Sequence, residues 1–590
     1  MSYSKSLLSA LSPSRIICAC LLGVSLGVMS AANAETVELR LEPSDEGSPI
    51  SDDLRNSLND ALPDEDEAPS TLFQAKRQGN RAADAIRDTL NSQGYFDPDI
   101  ESFIESGDQP VPVVRVDPGR LFRLAEIDID YGPNPPSEAD RQVAMEAVQL
   151  RAGDTAIPLR IIDQERVLIS ALRDRGYAFA SASDRSVLGD REAAELEVRY
   201  NINAGPRVRF GKVIYPEDVR TKASYMERLE PFEEGDLYDP AELALFGGRL
   251  DETRIFDLAN ARLAEVSSGT TEEGDEIYDI VVSLSERKRN TLALGASIAT
   301  DKGFGLNAEL TRRNLTRRGD LLVASLNLAE IEQYFNVVWR RPNEFGYGKG
   351  LVVSSRVGNE ETDGFDRQAF SVGAGYEVVK GPDFSYGFGV TGSLVHEEDD
   401  FGERDLQLLG LYANTRLDRA DDVLNPTKGW RAEGRIEPNI SFGGAESEFL
   451  RSEGQLRAYL PFGDARRFVL AGRLKLGTVY GAEIDSIPST KRFFAGGGGS
   501  VRGYAYQAIG PRSTENNPLG GRSLMETSVE ARWQFREKIG LAVFVDGGSV
   551  TESELPGFDD LRLGAGAGIR YDTPAGPLRI DVATPLDPTD

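Results

Sequence analysis

A glycine-rich segment with an arginine in its middle runs from Lys491 to Arg512 and reads KRFFAGGGGSVRGYAYQAIGPR. Glycine-rich loops can expose backbone N–H groups to a phosphate. The spacing does not fit a dinucleotide fingerprint, and it does not fit a Walker loop either, because Tyr504 and not a lysine follows Gly503. An engineered GGGGS linker is the alternative, but the apolar and aromatic residues on both sides favour a natural loop. The sequence thus argues against a nucleotide site and leaves open what Arg502 binds.

Residues that could form an enzyme site or a metal site are scarce. The single histidine is His396, in LVHEEDD, and the two cysteines are Cys18 and Cys20 near the N-terminus. A His-based triad and a thiolate or histidine metal site both need more of these residues than the chain supplies. The 96 acidic residues are expected on solvated faces. We therefore predict a protein that is not an enzyme and that binds neither cofactor nor metal.

The N-terminus has the pattern of a secretory signal. Lys5 and Arg15 precede an apolar run from Ile16 to Met29, and Ala32–Ala34 supplies a small-residue cleavage motif. We predict a signal peptide over residues 1–34, cleaved after Ala34. A lipoprotein modified at Cys20 is the alternative, although Cys18 fits the preceding motif poorly. No later apolar run reaches the length of a membrane helix, and a formal charge of −30 argues against nucleic acid.

Residues 35–287 contain a unit that recurs about every 85 residues. Two copies share a helix pattern that ends in a glycine and an aromatic residue, as AIRDTLNSQGYF and as LISALRDRGYAF. Each unit predicts a strand, two helices and two further strands. The predicted domains are 35–117, 118–203 and 204–287, and each presents a sheet edge to which another strand could be added.

From about Arg289 onward, polar and apolar residues alternate in segments separated by turn residues. In LRLGAGAGIRYD, Ile569 and Tyr571 point one way, whereas Arg562 and Arg570 point the other way together with three glycines. A soluble sandwich also alternates, but about 300 residues of sandwich would normally show two cores. An apolar exterior and a polar interior instead predict a transmembrane antiparallel β-barrel over residues 288–590.

The strand pattern predicts about eleven strands before the Lys491–Arg512 loop and four after it. Bacterial single-chain barrels have an even strand number, so the readable count of about fifteen leaves two alternatives: a truncated chain or an overlooked strand. The loop would then start from the outer rim. We expect it to fold into the barrel, with Arg502 bound to Asp546 and with Glu530 or Glu526 as further acceptors. Phe544 shares the interior face of Asp546, and Tyr504 is expected to pack beside the arginine.

Four motifs make a family resemblance specific. They are VRGY (Val501, Arg502, Gly503, Tyr504), FVDGG from Phe544, NLTRRGD from Asn314 and DDVLNPTKGW from Asp421. They resemble barrel motifs of the outer-membrane assembly-factor superfamily, and the three repeats resemble its polypeptide-transport-associated (POTRA) domains. Three such domains before a barrel are most similar to the TamA family of the translocation and assembly module.

The resemblance implies a sixteen-stranded barrel in the bacterial outer membrane, with the POTRA domains in the periplasm. It also implies a role in inserting and translocating autotransporters and other β-barrel proteins. The implied partners are unfolded outer-membrane protein clients, membrane lipid and a TamB-like protein anchored in the inner membrane. That last partner would be expected to dock on residues 35–117.

Three other functions compete with this interpretation. A two-partner-secretion pore would export one dedicated substrate, but it predicts two POTRA domains and a plug helix, and the acidic segment Leu62–Ser70 is too polar for a plug. A passive porin with periplasmic domains would not need Arg502 and Asp546 as a pair. A barrel lipase would need a Ser–His pair facing lipid, and only His396 is present.

Overall fold

The computed structural model describes residues 37–43, 50–63, 69–105, 110–299, 303–444, 446–463, 467–558, 560–573 and 576–587. The predicted signal peptide lies outside the described residues. The chain forms two compact units. The first holds the described residues up to Leu172 together with Phe179–Gly205, and the second holds Arg173–Ala178 and the residues from Pro206 onward.

The first α/β sheet places a long helix against three strands. Its elements are β1 (Glu38–Leu41), α1 (Asp52–Asp60), α2 (Leu72–Ser92), β2 (Asp99–Glu105) and β3 (Val111–Asp117). Helix α2 begins where the Thr71 side chain accepts a hydrogen bond from the Gln74 N–H, and it buries Ala82, Ile86 and Leu90 at helical spacing. Strand β3 is central, parallel to β1 and antiparallel to β2.

The second sheet completes the first unit and repeats this order. Its elements are β4 (Arg123–Asp130), α3 (Glu138–Ala147), α4 (Pro158–Arg173), β5 (Ser181–Ala182), β6 (Ser186–Asp190) and β7 (Glu195–Asn203). Strand β7 pairs in parallel with β4 and antiparallel with β5 and β6. The glycine-aromatic helix exits follow from backbone geometry, because Gly94 and Gly176 have φ values of +97° and +93°.

The third sheet belongs to the second unit. Its elements are β8 (Val208–Ile214), α5 (Ala223–Met226), α6 (Pro240–Glu252), β9 (Phe256–Leu263), β10 (Gly269–Thr270) and β11 (Glu276–Glu286). Phe210, Phe246 and Phe256 fill its core. The predicted order of a strand, two helices and two strands is confirmed for all three sheets, with short additional strands in the second and third. None of the helices among the described residues is both long and apolar enough to cross a membrane.

The rest of the second unit is one antiparallel sheet of fifteen strands in chain order. Its strands are β12 (Asn290–Ala299), β13 (Gly303–Arg313), β14 (Leu321–Ala329), β15 (Glu332–Arg341), β16 (Lys349–Thr362), β17 (Phe365–Lys380), β18 (Phe384–Asp399), β19 (Gly402–Asp418), β20 (Gly429–Gly443), β21 (Ser447–Phe462), β22 (Phe468–Tyr480), β23 (Ser523–Arg536), β24 (Ile539–Thr551), β25 (Arg562–Thr573) and β26 (Gly576–Pro585). Eleven strands precede the glycine-rich loop and four follow it, as predicted.

The two faces of this sheet differ as the alternation predicts. Val529, Trp533 and Ile569 are more than half exposed on the outer face. Glu530 and Asp546 are buried on the inner face, although both are acidic. An apolar outside and a charged inside are typical of a β-barrel that crosses a membrane. The predicted fold class is therefore confirmed.

Candidate functional site

The loop between β22 and β23 folds back into the barrel. Phe493 forms a β-bridge with Gly521, and Ala495 forms one with Ile509, so the loop has its own short pairings. Val501 has no exposed surface and belongs to a buried apolar cluster formed by the loop and the barrel wall. Burial of this apolar side chain fixes the position of the next residue, Arg502, against the interior of β23 and β24.

Arg502 meets Asp546 through three hydrogen bonds. Its Nε donates to Oδ2 at 2.7 Å, its Nη2 donates to Oδ1 at 2.9 Å, and its backbone N–H donates to Oδ2 at 3.1 Å. The Asp546 side chain is only 1% exposed. The guanidinium also lies 3.3 Å from the centre of the Phe544 ring. This fork-to-carboxylate geometry and the aromatic contact together hold the loop at one place on the wall.

Two further carboxylates share the same guanidinium. Nη1 of Arg502 donates to Glu530 Oε2 and to Asp581 Oδ2, each at 3.1 Å. Asp581 lies on β26, whereas Glu530 lies on β23. One arginine thus connects the loop to three strands of the wall, including the last strand in the sheet order.

Of the two glutamates expected as alternative acceptors, Arg502 contacts Glu530, and it has no contact with Glu526 among the described residues. Glu526 accepts a hydrogen bond from Ser500 Oγ at 2.5 Å and lies 3.5 Å from a nitrogen of Arg473. It is four residues before Glu530 on the same face of β23, a separation of about 13 Å. Asp546 is opposite Ser528, which lies between the two glutamates. The arginine therefore reaches one glutamate and leaves the other to Arg473.

Glycines allow the loop backbone to approach the barrel wall closely. At Gly564 on β25, a Cβ would lie 2.1 Å from the carbonyl oxygen of Arg502. Gly503 has a φ of +100°, and a Cβ there would lie 2.6 Å from the carbonyl carbon of Thr584 on β26. Backbone therefore packs on backbone at both places, which accounts for Gly564, one of the three glycines that the sequence shows on the inner face of β25.

Tyr504 points away from the Asp546 carboxylate, toward the end of the last strand. Its hydroxyl lies 3.0 Å from the carbonyl oxygen of Leu563 and 2.8 Å from that of Asp587. The ring is 7% exposed and belongs to the same apolar cluster as Val501. The loop thus contacts β26 through Arg502 and Gly503, and Tyr504 contacts a residue two positions beyond the end of that strand.

A second buried charge network holds the start of the loop. Arg492 and Arg404 both contact Asp399, and Arg404 also donates to Glu397 at 2.8 Å. Ser489 donates its backbone N–H to Glu397 at 3.0 Å. The sequence analysis did not identify these residues. The alternation in LVHEEDD could have placed Glu397 and Asp399 on the inner face, but it could not show which loop residues meet them.

The NLTRRGD motif forms a turn at the opposite rim, where it contacts the third α/β sheet. Asn314 Nδ2 donates to Thr221 Oγ1 at 2.8 Å, and a Cβ at Gly319 would lie 2.2 Å from the Tyr225 ring. Glu286 accepts from the backbone N–H and the hydroxyl of Thr221 at 2.9 and 2.7 Å. Burial raises the pKa of Glu286, but its hydrogen bonds with Thr221 and Arg220 outweigh that effect and hold its pKa below the ordinary value. Burial raises the pKa of Tyr225 to about 12.

The DDVLNPTKGW motif forms the turn between β19 and β20. The Asp421 carboxylate accepts hydrogen bonds from the Thr427 and Lys428 backbones at 2.8 and 3.0 Å. Burial raises the pKa of Asp421, but its bonds to Thr427 and Lys428 prevail and lower that pKa to about 2. Two backbone carbonyl groups of this turn accept hydrogen bonds from arginines of the barrel interior. The Leu424 oxygen accepts from Arg579 at 2.9 Å, and the Pro426 oxygen accepts from Arg532 at 3.3 Å.

The family model that matches this chain is the Omp85 superfamily domain, over residues 314–590. The matched residues, just under half of the chain, are similar to this family and are called the Omp85 domain below. The match begins at Asn314 and includes VRGY, FVDGG and both turn motifs. The Omp85 domain therefore contains every residue of the Arg502 site.

Two curated relatives are similar to the Omp85 domain and to part of the region before it. Both are described as outer membrane protein assembly factor BamA. The one from Nitratidesulfovibrio vulgaris is 26% identical over 441 residues, which cover 72% of this chain and 54% of that protein. The one from Neorickettsia risticii is 22% identical over 527 residues, covering 85% of this chain and 69% of the relative. The chain thus spans about half the length of the first relative.

A solved structure shows the same fold. The crystal structure of BamA from Haemophilus ducreyi lacking POTRA domains 1–3 superimposes with a TM-score of 0.67 at 18% identity. The match covers 79% of this chain and 97% of that one. The predicted location is confirmed: the Omp85 domain lies in the bacterial outer membrane, and the α/β region before it is periplasmic.

Proposed function

We propose that the protein is a TamA-type, non-enzymatic assembly factor that helps autotransporters and other β-barrel proteins to insert into and cross the outer membrane. Its partners in this proposal are unfolded barrel clients and a TamB-like protein anchored in the inner membrane. The relatives named BamA support an assembly factor. The three α/β sheets support the TamA type, with POTRA domains over residues 35–117, 118–203 and 204–287.

The observation that carries the proposal is the attachment of the loop to the last strand. Arg502 contacts Asp581, Gly503 packs on Thr584, and Tyr504 bonds the Asp587 carbonyl. A passive pore does not need an internal loop that holds an end strand of its sheet. An assembly factor does, because a sheet end that is held but not locked can add a client strand through main-chain hydrogen bonds.

A charge-reversal cycle at Arg502 and Asp546 tests this role. The purified protein in liposomes receives an unfolded autotransporter barrel, and the protease-protected fraction of client is measured. Arg502→Glu and Asp546→Arg should each reduce insertion severely and destabilise the barrel by about 3–5 kcal/mol, because the first places a carboxylate against the buried Asp546 and the second places two guanidiniums together. The double variant should recover part of both losses.

Arg512→Glu is the matched control, because within the described residues the guanidinium of this loop arginine bonds only backbone carbonyls, those of Asn516 and Ala508. It should insert the client like the parent. If both single variants at Arg502 and Asp546 also insert the client like the parent, the loop attachment is not needed and a passive pore becomes the better function. If the parent itself gives no more insertion than empty liposomes, the assembly role is wrong.

A further inference from the structure

Arginines surround a cavity inside the barrel, next to the loop that carries Arg502. The cavity has a volume of about 390 Å³, and seven arginines but only three carboxylates line it. This local excess of four positive charges occurs in a chain whose formal net charge is −30. A cleft lined by one sign of charge and walled by protein concentrates ions of the opposite sign.

Five of the seven arginines have a structural explanation. Each is paired with a carboxylate: Arg431 with Asp418, Arg473 with Glu526, Arg502 with Asp546, Arg532 with Glu530 and Arg570 with Asp581. Three of these pairs join neighbouring strands, Arg502 with Asp546 joins the loop to β24, and Arg532 with Glu530 lies within β23. Two of the five carboxylates, Asp418 and Glu526, do not line the cavity, so counting all five pairs reduces the excess from four positive charges to the two of the remaining arginines.

Arg457 and Arg579 form no ion pair with any carboxylate of the described residues. Arg457 faces the side-chain amide of Gln455. Arg579 donates to the carbonyl oxygen of Leu424 at 2.9 Å; the charges of Arg532 and Arg570 repel its own, and Glu530 and Asp581 attract it less strongly. Both guanidiniums line the cavity. An unpaired, partly desolvated guanidinium is costly, so two of them around one cavity call for an anion.

We propose that this cavity is an anion site for a phosphate or diphosphate group, held by Arg457 and Arg579. Such a group carries about two or more negative charges, which would balance the two unpaired guanidiniums, and its oxygens match the planar fork of arginine. The cavity adjoins a larger one of about 1360 Å³ that also contains Arg502, Arg579 and Asp581. The anion would enter through this larger space. The inference does not depend on the proposed assembly role.

Inorganic pyrophosphate is the probe for this site. Its affinity for the detergent-solubilised full chain is measured by calorimetry at fixed ionic strength for the parent, Arg457→Gln, Arg579→Gln and the double variant. We expect each single variant to bind about tenfold more weakly, because each loses a charge-assisted bond, and the double variant to lose measurable binding. Arg356→Gln is the control, since Arg356 lines a different cavity and pairs with Glu332, and it should bind like the parent.

Thermal unfolding without anion separates binding from a structural role. Because neither arginine has a carboxylate to lose, the variants should unfold at the same temperature as the parent or higher. Pyrophosphate binding that is equal in the parent and the double variant would overturn the proposal. So would a loss of stability in both single variants when no anion is present, because the arginines would then be structural.

The phosphate group could come from a free anion or from a lipid headgroup, and a competition experiment distinguishes them. Mixed micelles that contain phosphatidic acid are titrated into the parent loaded with pyrophosphate. Displacement of pyrophosphate by the phosphatidic acid micelles, but not by micelles of the neutral detergent alone, identifies a lipid headgroup as a ligand. Retention of pyrophosphate identifies a free anion. Either result supports the anion site, provided that the double variant binds neither probe.

Discussion

The Arg502 site depends on glycines as much as on charges. The guanidinium can lie flat on Phe544 and fork onto Asp546 only because the backbone of the loop approaches the wall closely. Gly564 provides that approach on β25, where any side chain would point at the Arg502 carbonyl. A charged pair of this kind gives little stability when it is exposed, but it is decisive when one partner is 1% exposed.

A methyl group at Gly564 should therefore displace the loop without changing any charge. A Cβ there would lie 2.1 Å from the Arg502 oxygen, so Gly564→Ala should destabilise the barrel by about 1–3 kcal/mol. Samples are heated to a series of temperatures and run on a gel without boiling, and the measurement is the temperature at which the folded barrel band disappears. Gly472→Ala is the control, because a Cβ at Gly472 on β22 would meet no atom within 4 Å. Equal melting of the two variants would show that the loop is not held tightly there.

At the scale of elements, alternation in the sequence predicts the strands and their two faces but not the long-range partners. The hairpin of β23 and β24 places Asp546 opposite Ser528, and a period of two then puts Glu530 and Phe544 on the same inner face. Which glutamate Arg502 reaches depends on how deep the loop descends, and the sequence contains no signal for that depth. The same reason explains why the contact of Arg492 with Asp399 could not be predicted.

The turn at Asn314–Asp320 attaches the third α/β sheet to the barrel. We expect acid to weaken this attachment. The pKa of Glu286 is lowered in the folded protein, so its contribution to stability is present above its ordinary pKa of 4.5 and is lost as the pH falls below that value. Lowering the pH from 7 to 4 should therefore speed protease cleavage between residues 287 and 290 in the parent.

Glu286→Gln should show fast cleavage already at pH 7 and a smaller change on acidification, because the carboxylate that titrates has been removed. Glu273→Gln, at an exposed position of the same sheet, should behave like the parent at both pH values. An unchanged pH response in Glu286→Gln would assign the acid sensitivity to other carboxylates.

At the scale of the whole molecule, charge is distributed unevenly. A chain with 96 acidic and 66 basic residues concentrates arginine inside its barrel, beside the loop. Composition alone predicts an acidic surface, and alternation places some arginines on the inner face. Neither predicts that seven of them meet around one cavity, because they come from β20, β21, β22, the loop, β23, β25 and β26. Only the curling of the sheet around the loop brings these strands together.

The division of the chain into two units allows the partner proposal to be tested without damage to the barrel. The first α/β sheet belongs to the first unit, whereas the third sheet and the barrel form the second. Deletion of residues 37–117 should therefore leave the heat-dependent mobility of the barrel unchanged. In cells that contain a TamB-like protein, the deletion should abolish capture of that protein, because the proposed docking domain is gone.

A photoreactive amino acid at Phe73 locates the contact within the full chain. Phe73 is 76% exposed on α2 of the first sheet, and Leu188 is 63% exposed on β6 of the second sheet. The TamB-like protein should crosslink from position 73 and not from position 188, since an exposed aromatic residue on the docking domain is a typical contact for a partner. Crosslinks from neither position, together with normal client insertion, would contradict the TamA type and favour a BamA-type factor that works with other partners. Crosslinks from position 188 alone would move the docking site to the second sheet while keeping the partner.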